Sequence, residues 1–345
     1  MAQISLEEGM HGQLADASYD KGQCSAPCHG LHGKRHSAVK SNSSVNEKRT
    51  IYIWDMDETL ILLQSLLNGT YGGAFNGSKD IKRGFELGKC WATHILHVCD
   101  SFFFYEQIGD FSEPYLHCLS EYDDGRDLSC YDFTKDGLSH SYDDSNNRKL
   151  AYRYRVMAKR YAQGLDDLLD ERTIKLWHDL YSSTDHYTDG WLSSARSLLA
   201  CCRGNSPEDG AKNIDEAGRC IHVLVTSGAL VPSLVKCLLF RLNDFIPSTN
   251  VYSSCDVGKL QCFSWIRDRF NNSNSQFCVI GNGLEECEAA EAMNWPFVEV
   301  DMQPTGNHRF PGLSIRTIKL HIEVAYGVPK SENDESSGSV STHVM

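Results

Sequence analysis

From Arg49 onward two rhythms alternate along the chain: short unbroken apolar runs, and longer stretches in which apolar residues return every three or four positions. The run IYIW at 51–54 predicts a strand over Arg49–Asp55 that is buried on both faces. Helical spacing follows. Leu60, Ile61, Leu63, Leu66 and Leu67 predict a helix closed by Asn68-Gly69, and further helices are expected over Asp80–Phe104, Arg148–Leu169, Glu171–Tyr181 and Gly190–Cys201. The aperiodic stretches 122–147 and 204–218 read as loops. After them the period changes. CIHVLV (220–225), NVYS (250–253), QFCVI (276–280) and WPFVEV (295–300) read as strands separated by helices, one with Pro232 in its first turn and one carrying Ala289, Ala290 and Ala292. A last helix is expected over Thr317–Ala325.

This order predicts an α/β parallel sheet with covering helices. The core comprises 49–65 and 219–330, interrupted after its first strand by a large helical-bundle insertion at about 66–205. Insertions placed there can act as lids and carry specificity, and this one is expected to shape the pocket. Residues 1–48 and 331–345 are polar and aperiodic and read as disordered tails.

Composition narrows the function classes. A net charge of -13 without a Lys/Arg stripe argues against direct nucleic-acid binding. No stretch is long and apolar enough for a membrane span, and no signal peptide is visible, so a cytoplasmic or nuclear protein, not secreted, is expected. The 14 cysteines are irregularly spaced and read as reduced thiols. The stretch CSAPCHGLHGKRH holds Cys24, Cys28, His29, His32 and His36, but the spacing matches no standard zinc finger, and no structural metal is expected there.

Chemistry concentrates where strands end. Asp55 and Asp57 close the first strand, Thr226 and Ser227 the second, Lys259 follows the third, and Asn282, Glu285 and Glu286 follow the fourth. In open α/β sheets ligands bind at this carboxyl edge. Two carboxylates held two residues apart require a neutralising cation or proton. Together the groups suit phosphoryl transfer: one carboxylate attacks phosphorus, a second moves the proton, a hydroxyl and a lysine hold the charge, and oxygen donors bind Mg²⁺. No C-x₅-R loop occurs in a site context, which sets cysteine-based phosphatase chemistry aside.

WDMDETL, a strand ending in Thr, then Lys, then an acidic GxGxxE segment resemble the haloacid dehalogenase superfamily. WDMDETLILLQSLLNGTYGG, DDGRDLSCYDF, RKLAYRYR, LVTSGALVPSL, VYSSCDVGKLQCFSWI and IGNGLEECEAAEAMNWPF resemble the eyes absent family in content and order, and the wording is similar to its plant branch. The resemblance covers about Lys48–Tyr326 and implies a haloacid dehalogenase-like, Rossmannoid phosphatase domain over 49–330. It implies a Mg²⁺-dependent protein tyrosine phosphatase. Asp55 would be nucleophile and metal ligand, and Asp57 general acid/base, lending its backbone carbonyl to the metal. Lys259 would stabilise the transferring phosphoryl group, and Thr226, with Ser227 and Thr59, would bind phosphate. Asn282 and Glu286 would complete the metal site, with Glu286 there directly or through water. Animal members also act as transcriptional coactivators through a longer N-terminal region that the present tail does not resemble.

The chain departs from the family pattern at Asn282, where an aspartate is expected. An amide oxygen brings no charge, so weaker Mg²⁺ binding is expected. A phosphotyrosyl protein is the expected substrate. The alternatives are a phosphatase of small phosphate esters, and a weakly active scaffold with a transcription-related protein partner. Arg153 and Arg155, in RKLAYRYR, are candidates for phosphopeptide binding or for structural pairing with the acidic loops, the structural role being favoured.

Overall fold

The computed structural model describes residues 49–108, 113–132, 144–202, 220–306 and 308–327. The Cys/His stretch of the tail, the 204–218 loop, part of the 122–147 loop and the C-terminal tail lie outside the described residues.

The chain begins with strand β1 (Arg49–Trp54), then passes through short helices α1 (Gln64–Leu67) and α2 (Thr70–Gly73) into the long helix α3 (Ile81–Phe102). Helices α4 (Tyr105–Ile108), α5 (Asp144–Gln163), α6 (Glu171–Tyr187) and α7 (Trp191–Cys202) complete a helical block. The α/β alternation follows: β2 (Cys220–Thr226), α8 (Leu230–Leu239), β3 (Val251–Ser253), α9 (Lys259–Phe270), β4 (Ser275–Gly281), α10 (Leu284–Ala292), β5 (Phe297–Glu299) and α11 (Ile315–Tyr326). The five strands form one parallel sheet in the order β3-β2-β1-β4-β5. The first strand in sequence is therefore the central one. Ile53 lies opposite Val223 on one side and Val279 on the other.

Strand alternation shares β1 between two cores. Tyr52 and Trp54 join the helical block and α8 in one cluster, with Leu87, Trp91, Met157, Trp177, Trp191 and Leu234. Ile51 and Ile53 join Cys262, Phe263, Ile266, Ala289 and Ala290, from α9 and α10, in the other. A strand buried on both faces needs apolar residues at every position, which is why IYIW is unbroken.

The helix expected from Leu60 is not continuous. Thr59, Leu60 and Ile61 all donate their amides to the Met56 carbonyl, and Glu58 has φ 61°, so the chain turns before α1 can start. The expected helix ending at Leu169 stops at Gln163, because Gly164 takes φ 83°. The helix expected to end at Tyr181 continues to Tyr187. Arg155 pairs with Asp123 at 2.8 Å, and buried Arg153 donates to Gln107 Oε1 at 3.4 Å, as expected for structural roles. Among the described residues no helix is long and apolar enough to cross a membrane, and the cysteines are free thiols.

Candidate active site

The central strand delivers its last residues to the carboxyl edge of the sheet. Asp55 continues β1 for one further bond, its amide donating to the Ile280 carbonyl at 2.9 Å. Its side chain is buried and held from two sides. Lys259 Nζ donates to Oδ1 at 2.8 Å, and Thr59 Oγ1 donates to Oδ2 at 3.2 Å. Burial pushes the Asp55 carboxyl up to about 6, Glu286 and Asp57 add to the rise, and Lys259 opposes it.

Asp57 lies two residues on, in the turn stitched to Met56. Both of its carboxylate oxygens accept from Lys236 Nζ at 2.8 Å. The two neighbouring aspartates thus have separate lysines. Neither the spacing nor the resemblance pointed to Lys236. The available signal was its isolation: it is the sole charge in LVPSLVKCLL, the sequence of α8.

Lys259 is the first residue of α9 and is 3% exposed. Gly258 precedes it with φ 76°, a conformation that a side chain would strain. Besides Asp55, Lys259 donates to Glu286 Oε2 at 2.6 Å. Burial alone lowers the proton affinity of Lys259, but the two carboxylates outweigh it and the net shift is upward. Glu286 also folds back on the start of α10, accepting the amides of Asn282 at 3.0 Å and Gly283 at 2.5 Å. The shift at Glu286 is downward, since Lys259 and these donors overcome the effect of burial. The glycines on either side of Asn282 make room for this carboxylate. A Cβ on Gly281 would lie 2.7 Å from Glu286 Cγ, and one on Gly283 would lie 2.9 Å from Oε2.

Glu286 accepts from Lys259 and from two amides, and so anchors the lysine. Thr59 is 0% exposed and takes no part in the cavity wall. Its hydroxyl faces Asp55 Oδ2 and Asn282 Oδ1 (3.3 Å).

Asp55, Asp57, Thr226, Ser227, Lys259, Asn282 and Glu286 do converge on one cavity of about 260 Å³, whose lining is completed by Gly283, Leu284 and Glu285. Thr226 is buried at the end of β2 with its Oγ1 accepting from Gly228 N at 3.2 Å, while Ser227 is exposed. Glu285 Oε1 accepts the Lys259 amide at 3.1 Å and caps α9. Among the described residues none of the helical block lines the cavity. The block supports the site from behind, where Trp191 Nε1 of α7 donates to the Thr59 carbonyl at 3.1 Å.

The donor set fits Mg²⁺. Asp55 Oδ2, the Asp57 backbone carbonyl and Asn282 Oδ1 are hard oxygen donors, and Mg²⁺ uses few protein carboxylates. Thr59 has one hydroxyl proton for two acceptors, leaving one of them for a cation. Among the described residues no group of three or more His, Cys, Asp or Glu could hold a metal. The carboxylates of Asp55, Asp57, Glu285 and Glu286 outnumber the ammonium groups of Lys236 and Lys259, so the edge carries excess negative charge.

Comparison with known proteins gives relatives over most of the chain. It is 55% identical over 304 residues to protein phosphatase EYA of Arabidopsis thaliana, a match that takes in 88% of this chain and 97% of that protein. It is 31% identical over 284 residues to protein phosphatase EYA2 of Homo sapiens, spanning 77% of this chain and 50% of the human protein. With protein phosphatase eya of Drosophila melanogaster the identity is 30% over 294 residues, 77% of this chain and 36% of the fly protein. The chain thus spans half or less of these two animal relatives. No family model matches it.

Proposed function

The chain belongs to the eyes absent (EYA) family of protein phosphatases, and on that premise we propose that it is a Mg²⁺-dependent protein tyrosine phosphatase with Asp55 as nucleophile. The observation that carries this reading is the cavity holding Asp55 and Asp57, each gripped by its own lysine, with no described residue of the helical block in its wall. A pocket for a small phosphate ester encloses most of its ligand. A shallow cavity of about 260 Å³ suits a phosphate and its aryl group presented by a larger chain that stays outside.

In the first step Asp55 Oδ attacks phosphorus. A bond forms between that oxygen and phosphorus, the bond from phosphorus to the phenolic oxygen breaks, and Asp57 delivers a proton to the departing phenolate. The phenol has a pKa near 10, so it demands less proton donation than an alkoxide would. In the second step Asp57 takes a proton from water, the water oxygen bonds to phosphorus, and the bond from phosphorus to Asp55 Oδ breaks, releasing Asp55 from its acyl phosphate and freeing inorganic phosphate. Lys259 offsets charge on the nucleophile and the phosphoryl group throughout, and Thr226 and Ser227 bind phosphate oxygens. Asp55, the Asp57 carbonyl and Asn282 would hold Mg²⁺, which when bound would supply positive charge that lets a carboxylate approach a phosphate.

The test is phosphate release from a phosphotyrosyl peptide across a Mg²⁺ titration, with Asp55→Asn run alongside and a sugar phosphate as competitor. The reading expects turnover that rises with Mg²⁺, none in the variant, and little competition. Full activity in Asp55→Asn would refute the nucleophile. Absence of release at any Mg²⁺ concentration would favour a scaffold whose metal site is weakened by Asn282.

A further inference from the structure

Resting on that reading, we infer that Leu284 is a specificity-determining residue: its side chain takes the aryl ring of the phosphotyrosine. The cavity wall is otherwise built for a phosphate. Apart from Gly283, every other residue in it bears a charge, a hydroxyl or an amide. Among the described residues that line the cavity, Leu284 is the one apolar side chain. A benzene ring gains nothing from displacing water around carboxylates, but it does gain from covering apolar surface. Leu284 is the surface this wall offers it.

The fold has no use of its own for a leucine here. Leu284 is the first residue of α10, and its side chain is 72% exposed. The helix packs instead through Ala289 and Ala290, which join the core beneath the sheet, and through the buried Glu286. A lone exposed leucine is ordinary on a protein surface. This one forms part of an active-site wall, where a substrate can cover it.

Its backbone is also held in place. On one side the Gly283 amide donates to Glu286 Oε1 at 2.5 Å, and on the other Glu285 Oε1 accepts the Lys259 amide of α9 at 3.1 Å. Leu284 lies between these two pinned residues, so its side chain stays at the mouth of the cavity without being consumed by packing.

Such a contact has a definite kinetic signature. Bonds to phosphorus change during the reaction, whereas the ring stays where it bound. Leu284 therefore holds substrate and transition state alike, and binding of that kind acts on KM and not on kcat. A phosphoserine side chain presents no ring to Leu284, so the residue favours aryl over alkyl phosphate esters.

The experiment measures kcat and KM on a phosphotyrosyl peptide at saturating Mg²⁺, together with the inhibition constant of inorganic phosphate, for Leu284→Ser and Leu284→Met. Serine at so exposed a position leaves the core intact, and a thermal melt beside the parent verifies that. We expect Leu284→Ser to raise KM about fivefold to twentyfold with kcat held within about twofold, while phosphate, which has no ring, inhibits as it does in the parent. Leu284→Met, apolar and similar in volume, should keep KM close to that of the parent. An unchanged KM in Leu284→Ser would overturn the inference. So would a fall in kcat at constant KM, or a rise in KM matched by an equal weakening of phosphate, because Leu284 would then serve the phosphate site and not the ring. Each of these outcomes leaves the phosphatase reading standing, since the parent turns over. A parent that releases no phosphate from the peptide would overturn that reading, and the role of Leu284 with it.

Discussion

At the scale of single residues, this site is a problem in electrostatics solved by pairing. Asp55 and Asp57 are too close to remain unpaired, and Lys259 and Lys236 each take one. Asp55 still keeps a strong affinity for a proton, raised to about 6 from 3.8, chiefly because it is buried. A carboxyl raised in this way stabilises the fold fully below its unfolded value and loses that contribution as pH climbs through about 6. Above that pH the charged group is a burden of up to about 3 kcal/mol. Asp55→Asn should therefore melt above the parent at about pH 8 in metal-free buffer, with the margin closing as pH falls toward 4. A margin that ignored pH, or no margin, would contradict the burial argument. Asn282 makes the complementary prediction. Asn282→Asp places another carboxylate beside Asp55, so the metal-free melting temperature should drop while half-maximal activity is reached at less Mg²⁺. If the Mg²⁺ requirement stays put, Asn282 lies outside the coordination shell.

At the scale of elements, the helical block reaches the site through a buried hydrogen bond. Trp191, on α7, reaches the Thr59 carbonyl inside the turn that carries Asp57. Trp191→Phe should lower the unfolding free energy by about 1–3 kcal/mol, because a buried carbonyl loses its donor. It should also slow turnover well below the melting temperature by loosening that turn. A fully folded variant with unchanged turnover would show that the contact is only structural. The same turn explains where the helical reading of 59–69 went astray. The spacing of Leu60, Ile61, Leu63, Leu66 and Leu67 has the right period, but it reports burial, not backbone. Three amides converging on Met56 and a left-handed Glu58 override it. Glu58 then caps α1 by accepting the Ser65 amide at 3.1 Å.

At the scale of the whole molecule, the open cavity predicts that the outer surface of the helical block is indifferent to catalysis. Leu176 is 52% exposed on α6, and Leu176→Ser should leave kcat and KM for a phosphotyrosyl peptide within about twofold, as surface changes away from a site usually do. A marked rise in KM would mean that the block touches substrate after all. The residue sequence alone determined the parallel α/β class, the place of the helical insertion and most residues of the cavity, because burial on both faces and strand ends followed by polar turns are local patterns that require no partner to be read. It did not determine that β1 is central, that Glu286 anchors a lysine, or that Lys236 holds Asp57. The last pair is separated by 179 positions, and no local period links residues so far apart. Strand order and the packing of α8 against the sheet bring them together, and those are set by how surfaces fit in three dimensions.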